Sequence, residues 1–570
     1  MTTLRSIFHN LSHLKNTFYI LLFLLTSLQC YSQKYQYTIE ANSKTEQKVI
    51  DSLNYQKIHT SKKSLQQTSD KLVNNLKELG YINAILSNYT ISNDTLANAK
   101  AELNTQIKYV LIYKDTISTQ NKNKPINRDS IMIPFASVSS YLQSYTKSLE
   151  LQGYSMAKVK LSQFRESGKT LIANLVVEKG RTRKINEIVL NYKSFPKGHQ
   201  NNIERLFKNL TFTQNNVEKI KKEFDKLPFV QQTKNPEILF TTDTTKVYIY
   251  LEKANSNKFD GIVGFSNDED SGKLLFNGYV DLELNNALKT GETFILYWKS
   301  DGQKQTTFKS SIELPYIFKT PFALKASLNI FKQDSTFQNT KTSAEVGYYF
   351  SYNKRFFAGY QSTESSDIQN LNSSILKDYK STFFTASFEY SDYRPEFDLF
   401  KNKTVVTIKS GIGNRTSLTE RIPQLFIETN IENNFYLNNK NIVWIKNTNY
   451  FLQSKEYIVG ELYRFGGSRS IRGFAENLLQ ANLALLLATE YRYLLSPTLY
   501  AHSILDYGFY SDDTQIVSRD NSNSLVGVGL GFGIVSKIGL FNLSYANGFL
   551  TNQSLSSKNS IVHISFNTTF

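Results

Sequence analysis

The carboxyl-terminal half of the chain alternates apolar and polar residues with a period of two. Residues 273–284 are an example, with Leu274 and Val280 on one face and Asp281 on the other. Segments of about ten residues with this alternation, separated by turns, continue to the end of the chain and are typical of a transmembrane β-barrel. The spacing predicts sixteen antiparallel strands within residues 257–570.

The amino-terminal half has helical periodicity instead. Val217, Ile220, Phe224 and Leu227 share one helix face, and Pro228 ends that helix. A strand precedes this helical region and two strands follow it. The segment therefore predicts a small α+β domain with the element order β-α-α-β-β.

Helix ends recur at a nearly constant interval in this half. Gly80, Gly153 and Pro228 are 73 and 75 residues apart, which indicates a repeated domain. The first repeat departs most, because its first helix is poorly defined and residues 88–105 are polar and irregular. Three unrelated α/β segments are the alternative. The predicted domain boundaries are 33–105, 106–180 and 181–256.

Residues 1–32 have the pattern of a signal peptide. Arg5 and Lys15 precede or flank a short apolar core that is too short to span a bilayer. Cleavage after Ser32 would remove Cys30, the single cysteine, and would exclude disulfides from the mature chain. A lipoprotein cysteine at Cys30 is the alternative.

The composition supports export to a membrane. The chain has 39 Phe and 35 Tyr, yet no later segment is long and apolar enough for a transmembrane helix. An exported, aromatic-rich chain of this kind can still cross lipid as a closed barrel. The net charge of +17 is spread along the chain, so outer-membrane lipid and lipopolysaccharide are expected counterparts rather than nucleic acid. A well-solvated surface without a partner is the alternative.

One long loop, at about 455–478, carries an unusual motif. It follows the predicted eleventh strand and therefore lies on the extracellular side, with glycines that permit tight turns. Its length and apolar tip predict that it folds back into the lumen. The motif residues are Gly466, Gly467, Ile471, Arg472, Gly473 and Phe474.

The following strands offer partners for this loop. Their alternation places Glu490 and Asp506 on the inward face, together with a strip of glycines at 527–533. An inserted Arg472 would pair with both acids. A solvated arginine on an outer loop, with acids lining a wet pore, is the alternative.

These motifs resemble those of the BamA/TamA superfamily of outer-membrane insertases and protein transporters. The run from Gly466 to Phe474 is similar to that family's lumen-loop motif, and Glu490 and Asp506 match its acidic partners. The β-α-α-β-β units resemble its polypeptide-transport-associated (POTRA) domains. Three such domains before sixteen strands resemble TamA more than BamA.

The resemblance implies a factor that inserts or translocates proteins at the bacterial outer membrane, with the POTRA domains in the periplasm. It implies a weak barrel seam between the first strand, at Phe259 and Gly261, and the last, at Phe566 and Phe570. The terminal Phe570 resembles a recognition signal of outer-membrane barrels. Client β-barrel or secreted proteins and periplasmic subunits at the POTRA domains are the implied partners.

Enzymatic chemistry is not expected. The six histidines are scattered, no nucleophile motif is present, and neither a metal nor another cofactor is predicted. A passive pore, a surface-binding barrel and a dedicated exporter of one partner protein are the alternative functions.

Overall fold

A computed structural model describes most of the chain and divides it into two compact units, up to residue 182 and from residue 183 onward. The predicted signal peptide lies outside the described residues. No helix in the described part is long and apolar enough to cross a membrane. The described ranges are 34–93, 95–114, 129–267, 274–301, 305–334, 336–369, 376–394, 399–417, 420–514, 522–536, 539–550 and 560–570.

The first domain packs two helices on a mixed sheet. Its elements are β1 (Tyr35–Ala41), α1 (Lys44–Ser52), β2 (Ile58–His59), α2 (Lys62–Glu78), β3 (Ile85–Leu86), β4 (Thr90–Ser92) and β5 (Leu96–Glu102). The strand order is β2-β1-β5-β3, in which β1 and β5 are parallel and β4 pairs with β5.

Two expectations for this domain differ from the structure. The first helix, α1, is regular and begins at Ser43, whose side chain accepts the N–H of Glu46. The segment 88–105 contains β4 and β5, because Ala97, Ala99 and Ala101 alternate into the core. Alanine is too small to stand out in an apolar pattern, which explains why the strand looked irregular.

The second domain has a sheet of order β7-β6-β9-β8 covered by one helix. A strand precedes that helix where the repeat predicted another helix, and residues 115–128 lie outside the described part. Gly153 has a left-handed φ of 93° at the predicted helix end. The elements are β6 (Tyr109–Lys114), β7 (Asp129–Pro134), α3 (Val138–Leu151), β8 (Lys158–Ser167) and β9 (Thr170–Glu178).

The third domain, in the second unit, has the predicted β-α-α-β-β order in its two helices and three-stranded sheet, and two further short strands pair separately. Val217, Ile220 and Phe224 are buried on one helix face against Val247 and Ile249 of the sheet. Its strand β10 is parallel to β13. The elements are β10 (Glu187–Leu190), α4 (Lys197–Phe207), α5 (Gln214–Asp225), β11 (Val230–Gln232), β12 (Glu237–Phe240), β13 (Thr245–Ile249) and β14 (Leu251–Lys253).

The rest of the second unit confirms the predicted barrel. In the described residues, sixteen antiparallel strands follow one another around a closed barrel. Two short strands, β26 (Tyr463–Phe465) and β27 (Leu479–Ala481), pair with each other outside this barrel sheet. They are β15 (Lys258–Asn267), β16 (Leu274–Asn285), β17 (Thr293–Asp301), β18 (Gln305–Leu314), β19 (Phe322–Gln333), β20 (Phe337–Ser351), β21 (Lys354–Asp367), β22 (Tyr379–Tyr393), β23 (Asn402–Thr416), β24 (Arg421–Tyr436), β25 (Asn441–Gln453), β28 (Leu483–Ser496), β29 (Leu499–Ser511), β30 (Ser522–Ser536), β31 (Gly539–Leu550) and β32 (Ser560–Thr569).

The two faces of the barrel wall differ as the alternation requires. On β28, Leu485, Leu487 and Tyr491 are exposed on the outer face, whereas Ala484 and Ala488 are buried on the inner face. This arrangement places apolar side chains on the outer surface, as in transmembrane barrels, and leaves the lumen to small and polar residues.

Ion pairs between inward side chains brace one side of the lumen. Arg355 lies 2.7 Å from Glu313 and 2.7 Å from Glu389, and Lys325 bridges the same two acids. These pairs link β18, β19, β21 and β22, so this wall is held by side chains as well as by its backbone ladder.

Candidate functional site

The loop between β25 and β28 folds back into the barrel. It contains a short 3₁₀ turn (Val459–Glu461) and a hairpin of β26 (Tyr463–Phe465) and β27 (Leu479–Ala481). Directly after β26, Gly466 and Gly467 have φ of 113° and 89°, a left-handed conformation that favours glycine. The chain can therefore turn sharply and direct its tip inward.

Apolar residues of the loop are buried against the wall. Ile471 is fully buried and Phe474 nearly so, in a cluster with Phe465, Leu486 and Tyr510. The predicted inward position of this loop thus has an apolar contribution as well as an ionic one.

Arg472 is the centre of the polar contacts. Its backbone N–H donates to Asp506 Oδ2 at 2.9 Å, and its Nε donates to the same oxygen at 2.8 Å. Its Nη2 donates to Asp506 Oδ1, and its Nη1 pairs with Glu490. Asp506 is fully buried, and Arg472 is 4% exposed. The sequence-predicted trio is therefore brought together, with the carboxylate of Asp506 held in a bidentate pair.

A second arginine completes this group. Arg492 Nε donates to Glu490 Oε2 at 2.6 Å, and both guanidinium groups lie over Trp444, with Arg472 5.5 Å and Arg492 5.0 Å from the ring centroid. Two arginines and two carboxylates leave the group formally neutral. Buried charges need such compensation, since an unpaired one is costly.

Glycines on the wall make room for the loop tip. A Cβ at Gly527 would collide with the carbonyl oxygen of Arg472, and one at Gly548 would lie 2.5 Å from that of Gly473. The predicted strip at 527–533 supplies only Gly527 to this contact, because Gly531 and Gly533 face the rings of His502 and Tyr500 on β29. Gly548, on the next strand, was not singled out by the sequence pattern.

The base of the loop has its own buried ion pair, which the sequence pattern also did not reveal. Arg415 on β23 pairs with Glu461 at 2.5 Å, and their side chains are 1% and 5% exposed. Gln424 donates to the other oxygen of Glu461 at 2.7 Å. An arginine alone on a strand gives no sign of the distant loop residue that it meets.

The loop does not fill the lumen completely. A polar cavity of about 300 Å³ remains beside it, lined by Lys309, Lys341 and Glu428 among others. The buried oxygens Asn339 Oδ1 and Gln361 Oε1, which also line it, have no hydrogen-bond partner among the described residues. A cavity with such acceptors suits water rather than an apolar group.

The barrel closes at a short seam. Strand β15 pairs with β32 through two residue pairs, Lys258 with Thr569 and Phe259 with Thr568. By contrast, β23 and β24 pair through thirteen. Most of the facing edges of β15 and β32 therefore do not pair with each other, although both strands lie within the described residues.

One side chain reaches across the open part of the seam. Asp260, on β15, accepts the Tyr279 hydroxyl at 2.7 Å and the backbone N–H of Phe566 at 3.4 Å. The neighbouring Gly261 lies close to the backbone of β16, where a Cβ would come within 2.9 Å of Tyr279 O. Phe570 is 49% exposed, and its N–H donates to Asn257 O.

The structure thus places the predicted seam residues at both strand ends. Phe259 is in one of the two pairs, and Phe566 lies on β32, beside the gap, where its N–H reaches Asp260. Their roles in client recognition stay predictions.

Comparison with known proteins rests on structure, because no protein-family model and no curated protein sequence matches the chain. CdiB from Acinetobacter baumannii aligns over 77% of this chain and 83% of its own, with 14% identity and a TM-score of 0.50. The chain has the fold of this CdiB. CdiB from Escherichia coli aligns over 89% of this chain and 98% of its own, with 13% identity and a TM-score of 0.49. BamA from Haemophilus ducreyi, lacking POTRA domains 1–3, aligns over 80% and 96%, with 17% identity and a TM-score of 0.46.

The predicted fold class, α+β domains followed by a sixteen-stranded antiparallel barrel, is therefore confirmed. The assignment of the α+β domains before the barrel as POTRA domains stays a prediction. The closer likeness to TamA stays a prediction.

Proposed function

We propose that this protein inserts or translocates other proteins at the bacterial outer membrane. Residues 257–570 form the barrel in the membrane, and the domains at 33–105, 106–180 and 181–256 act in the periplasm as POTRA domains. The shared fold with CdiB from Acinetobacter baumannii supports a role in assembly or secretion. The observation that carries the proposal is the seam with two residue pairs.

Unpaired strand edges are costly in lipid, because no water is present to satisfy backbone N–H and C=O groups. The open edges of β15 and β32 therefore favour the addition of another strand. A client strand that pairs with one of them satisfies those groups by β-augmentation. In this mechanism, a nascent client barrel grows at the seam and is then released into the lipid.

The lumen loop argues against a passive pore. It is anchored to the wall at Arg472 and at Glu461, so it occupies the channel through which a solute would pass. We assign the motif residues Gly466 to Phe474, with Glu490 and Asp506, the role of holding this loop in the lumen. Lipopolysaccharide and phospholipid are the proposed surroundings of the outer face.

The decisive experiment locks the seam. Phe259 and Thr568 are direct cross-strand partners, and the Cα atoms of such pairs lie about 4.5 to 5.5 Å apart, within the range that a disulfide spans. The variant F259C/T568C, oxidised in cells that depend on this protein, should stop the assembly of other outer-membrane proteins. A reductant should restore it. Client levels in the outer-membrane fraction are the measurement.

The matched control joins two strands that are already fully paired. Thr404 on β23 lies opposite Asn433 on β24, so T404C/N433C should cross-link without loss of assembly. Normal client assembly by an oxidised F259C/T568C protein would contradict seam opening.

Depletion of the protein separates the alternative functions. Loss of many outer-membrane proteins supports a general assembly factor, and loss of one secreted protein indicates a dedicated exporter. Unchanged protein levels with altered uptake of solutes would overturn the proposal in favour of a pore.

A further inference from the structure

The lumen loop contacts the barrel on both sides of the seam. Arg472 is bound to β28 and β29, which precede the seam in the order of strands around the barrel. Two other loop residues, Arg469 and Glu476, are bound to β16 and β17, which follow it. The loop therefore spans the gap between β32 and β15 from the inside.

The contacts on the β16–β17 side form a compact set of alternating charge. Arg469 pairs with Asp281 of β16, and Glu476 pairs with Lys299 of β17. The loop thus presents one cation and one anion, each facing its opposite on the wall. Such complementarity specifies one seating of the loop, since a shifted loop would bring like charges together.

Tyr297 joins the two pairs into one group. Its hydroxyl donates to Glu476 Oε1 at 3.1 Å, and the Arg469 guanidinium lies 4.7 Å from the centroid of its ring. Lys446 on β25 donates to the carbonyl oxygen of Arg469 at 2.8 Å, which fixes the backbone at this point.

The wall residues of this group connect to the seam. Asp281 and Tyr279 are two positions apart on β16 and share its inward face. Tyr279 donates to Asp260, which in turn accepts the N–H of Phe566 on β32. A displacement of β16 would therefore also move Asp260 and disturb its hydrogen bond with Phe566 across the seam.

From this geometry we infer that Arg469 and Glu476 form a second arm of the lumen loop, which ties β16 and β17 to β28 and β29 and limits how often the seam opens. Arg469 and Glu476 are then positioning residues, which act on a client through the seam. The inference rests on the proposed function, in which that seam receives the client strand.

The test measures closure of the seam directly. In the F259C/T568C background, the rate of disulfide formation under a mild oxidant follows the fraction of molecules in which the two strands are paired. The additional change R469A/E476A should lower this rate about threefold. The effect is modest because both ion pairs are open to lumen water, and exposed pairs stabilise weakly.

Two controls make the result specific. The pair Glu364–Lys380 joins β21 and β22, away from the seam, and E364A/K380A should leave the rate unchanged. The charge exchange R469D/D281R restores the ion pair in reverse and should restore the rate relative to R469D alone. Migration of the unheated protein as a compact band on a denaturing gel reports that each barrel is folded.

An unchanged rate in folded R469A/E476A would overturn the inference, and so would failure of the charge exchange to restore the rate. If alanine variants do not fold, R469Q and E476Q remove the charges with less loss of volume and are measured in the same way. A lower cross-linking rate in R469A/E476A, together with normal client assembly by the fully oxidised F259C/T568C protein, would leave the second arm in place and reject the proposed function instead.

Discussion

Arg472 and Asp506 are bound by three hydrogen bonds, one from the backbone N–H of the arginine and two from its guanidinium. The backbone bond means that Asp506 fixes the path of the loop as well as the position of one side chain. This relationship allows the contributions of charge and shape to be separated by mutation.

Replacing Arg472 by alanine should release the loop tip and leave Asp506 as a buried, uncompensated charge. Breaking a buried pair in this way typically costs about 3 kcal/mol or more. We expect R472A to form a barrel that melts at lower temperature and assembles fewer client proteins. R472K should be intermediate, because a lysine keeps the charge but cannot make the bidentate pair. Thermal unfolding on unheated gels and client levels measure the two effects, and wild-type behaviour of R472A would contradict them.

Replacing Gly548 by alanine tests the contact between the loop tip and bare backbone. The added Cβ would lie 2.5 Å from Gly473 O and 2.6 Å from Phe474, closer than such atoms pack. We expect G548A to displace the tip, which increases protease cleavage within the loop while the barrel stays folded. Ser544 is buried on the same face of β31, and S544A should have no such effect. Equal protection of the loop in both variants would argue against the contact.

The buried pair of Arg415 and Glu461 at the base of the loop can be tested by a double-mutant cycle. E461Q leaves Arg415 buried without its counter-charge and should destabilise the barrel by about 3 kcal/mol. R415M alone should cost a similar amount, because it isolates Glu461. The double variant R415M/E461Q should be more stable than the sum of the single changes predicts, since neither charge is then stranded. Additive losses in thermal unfolding would show that the two residues act independently.

His199 is buried where the third domain packs on the barrel, and we expect it to make this packing dependent on pH. It is 2% exposed, with its ring centroid 4.6 Å from that of Tyr316 and 5.3 Å from that of Phe229. Burial lowers the pKa of His199 to about 3, against an ordinary value of 6.5, although Glu292 nearby opposes the shift. The folded state therefore binds fewer protons than the unfolded state between these two values.

The contribution of neutral, buried His199 to the free energy of unfolding is therefore present above pH 6.5 and is lost progressively as the pH falls toward 3. Between pH 6.5 and pH 5 the loss should be about 2 kcal/mol. H199Q, which cannot titrate, should show a smaller decrease over the same range. Thermal unfolding at pH 7.5, 6.5 and 5 measures the difference, and parallel curves for the two proteins would exclude His199 as the cause.

The parts of the fold that follow a simple period were predictable from sequence. Alternation along β28 separated exposed Leu485 and Leu487 from inward Glu490, and helical spacing identified the buried face of α5. Asp506 was predictable as a partner of Arg472 because the loop and the two adjacent strands are close in sequence and each has a clear inward face.

Contacts between distant parts of the chain were not predictable in this way. Arg469 meets Asp281 across 188 positions, and Arg415 meets Glu461 across 46. The path of the loop and the closure of the barrel bring these residues together, and no local period records either. Gly548 was missed for a related reason, because its contact is with the loop and not with its own strand.

The order in which contacts can form also follows from the lumen loop. Arg472 needs Asp506 on β29, and the tip rests against Gly527 on β30 and Gly548 on β31, all of which come later in the chain. The tip cannot seat until those strands have reached their places. Docking of Arg472 is thus a late event in biogenesis, and a protease-resistant loop would mark the molecules whose last strands are already in place.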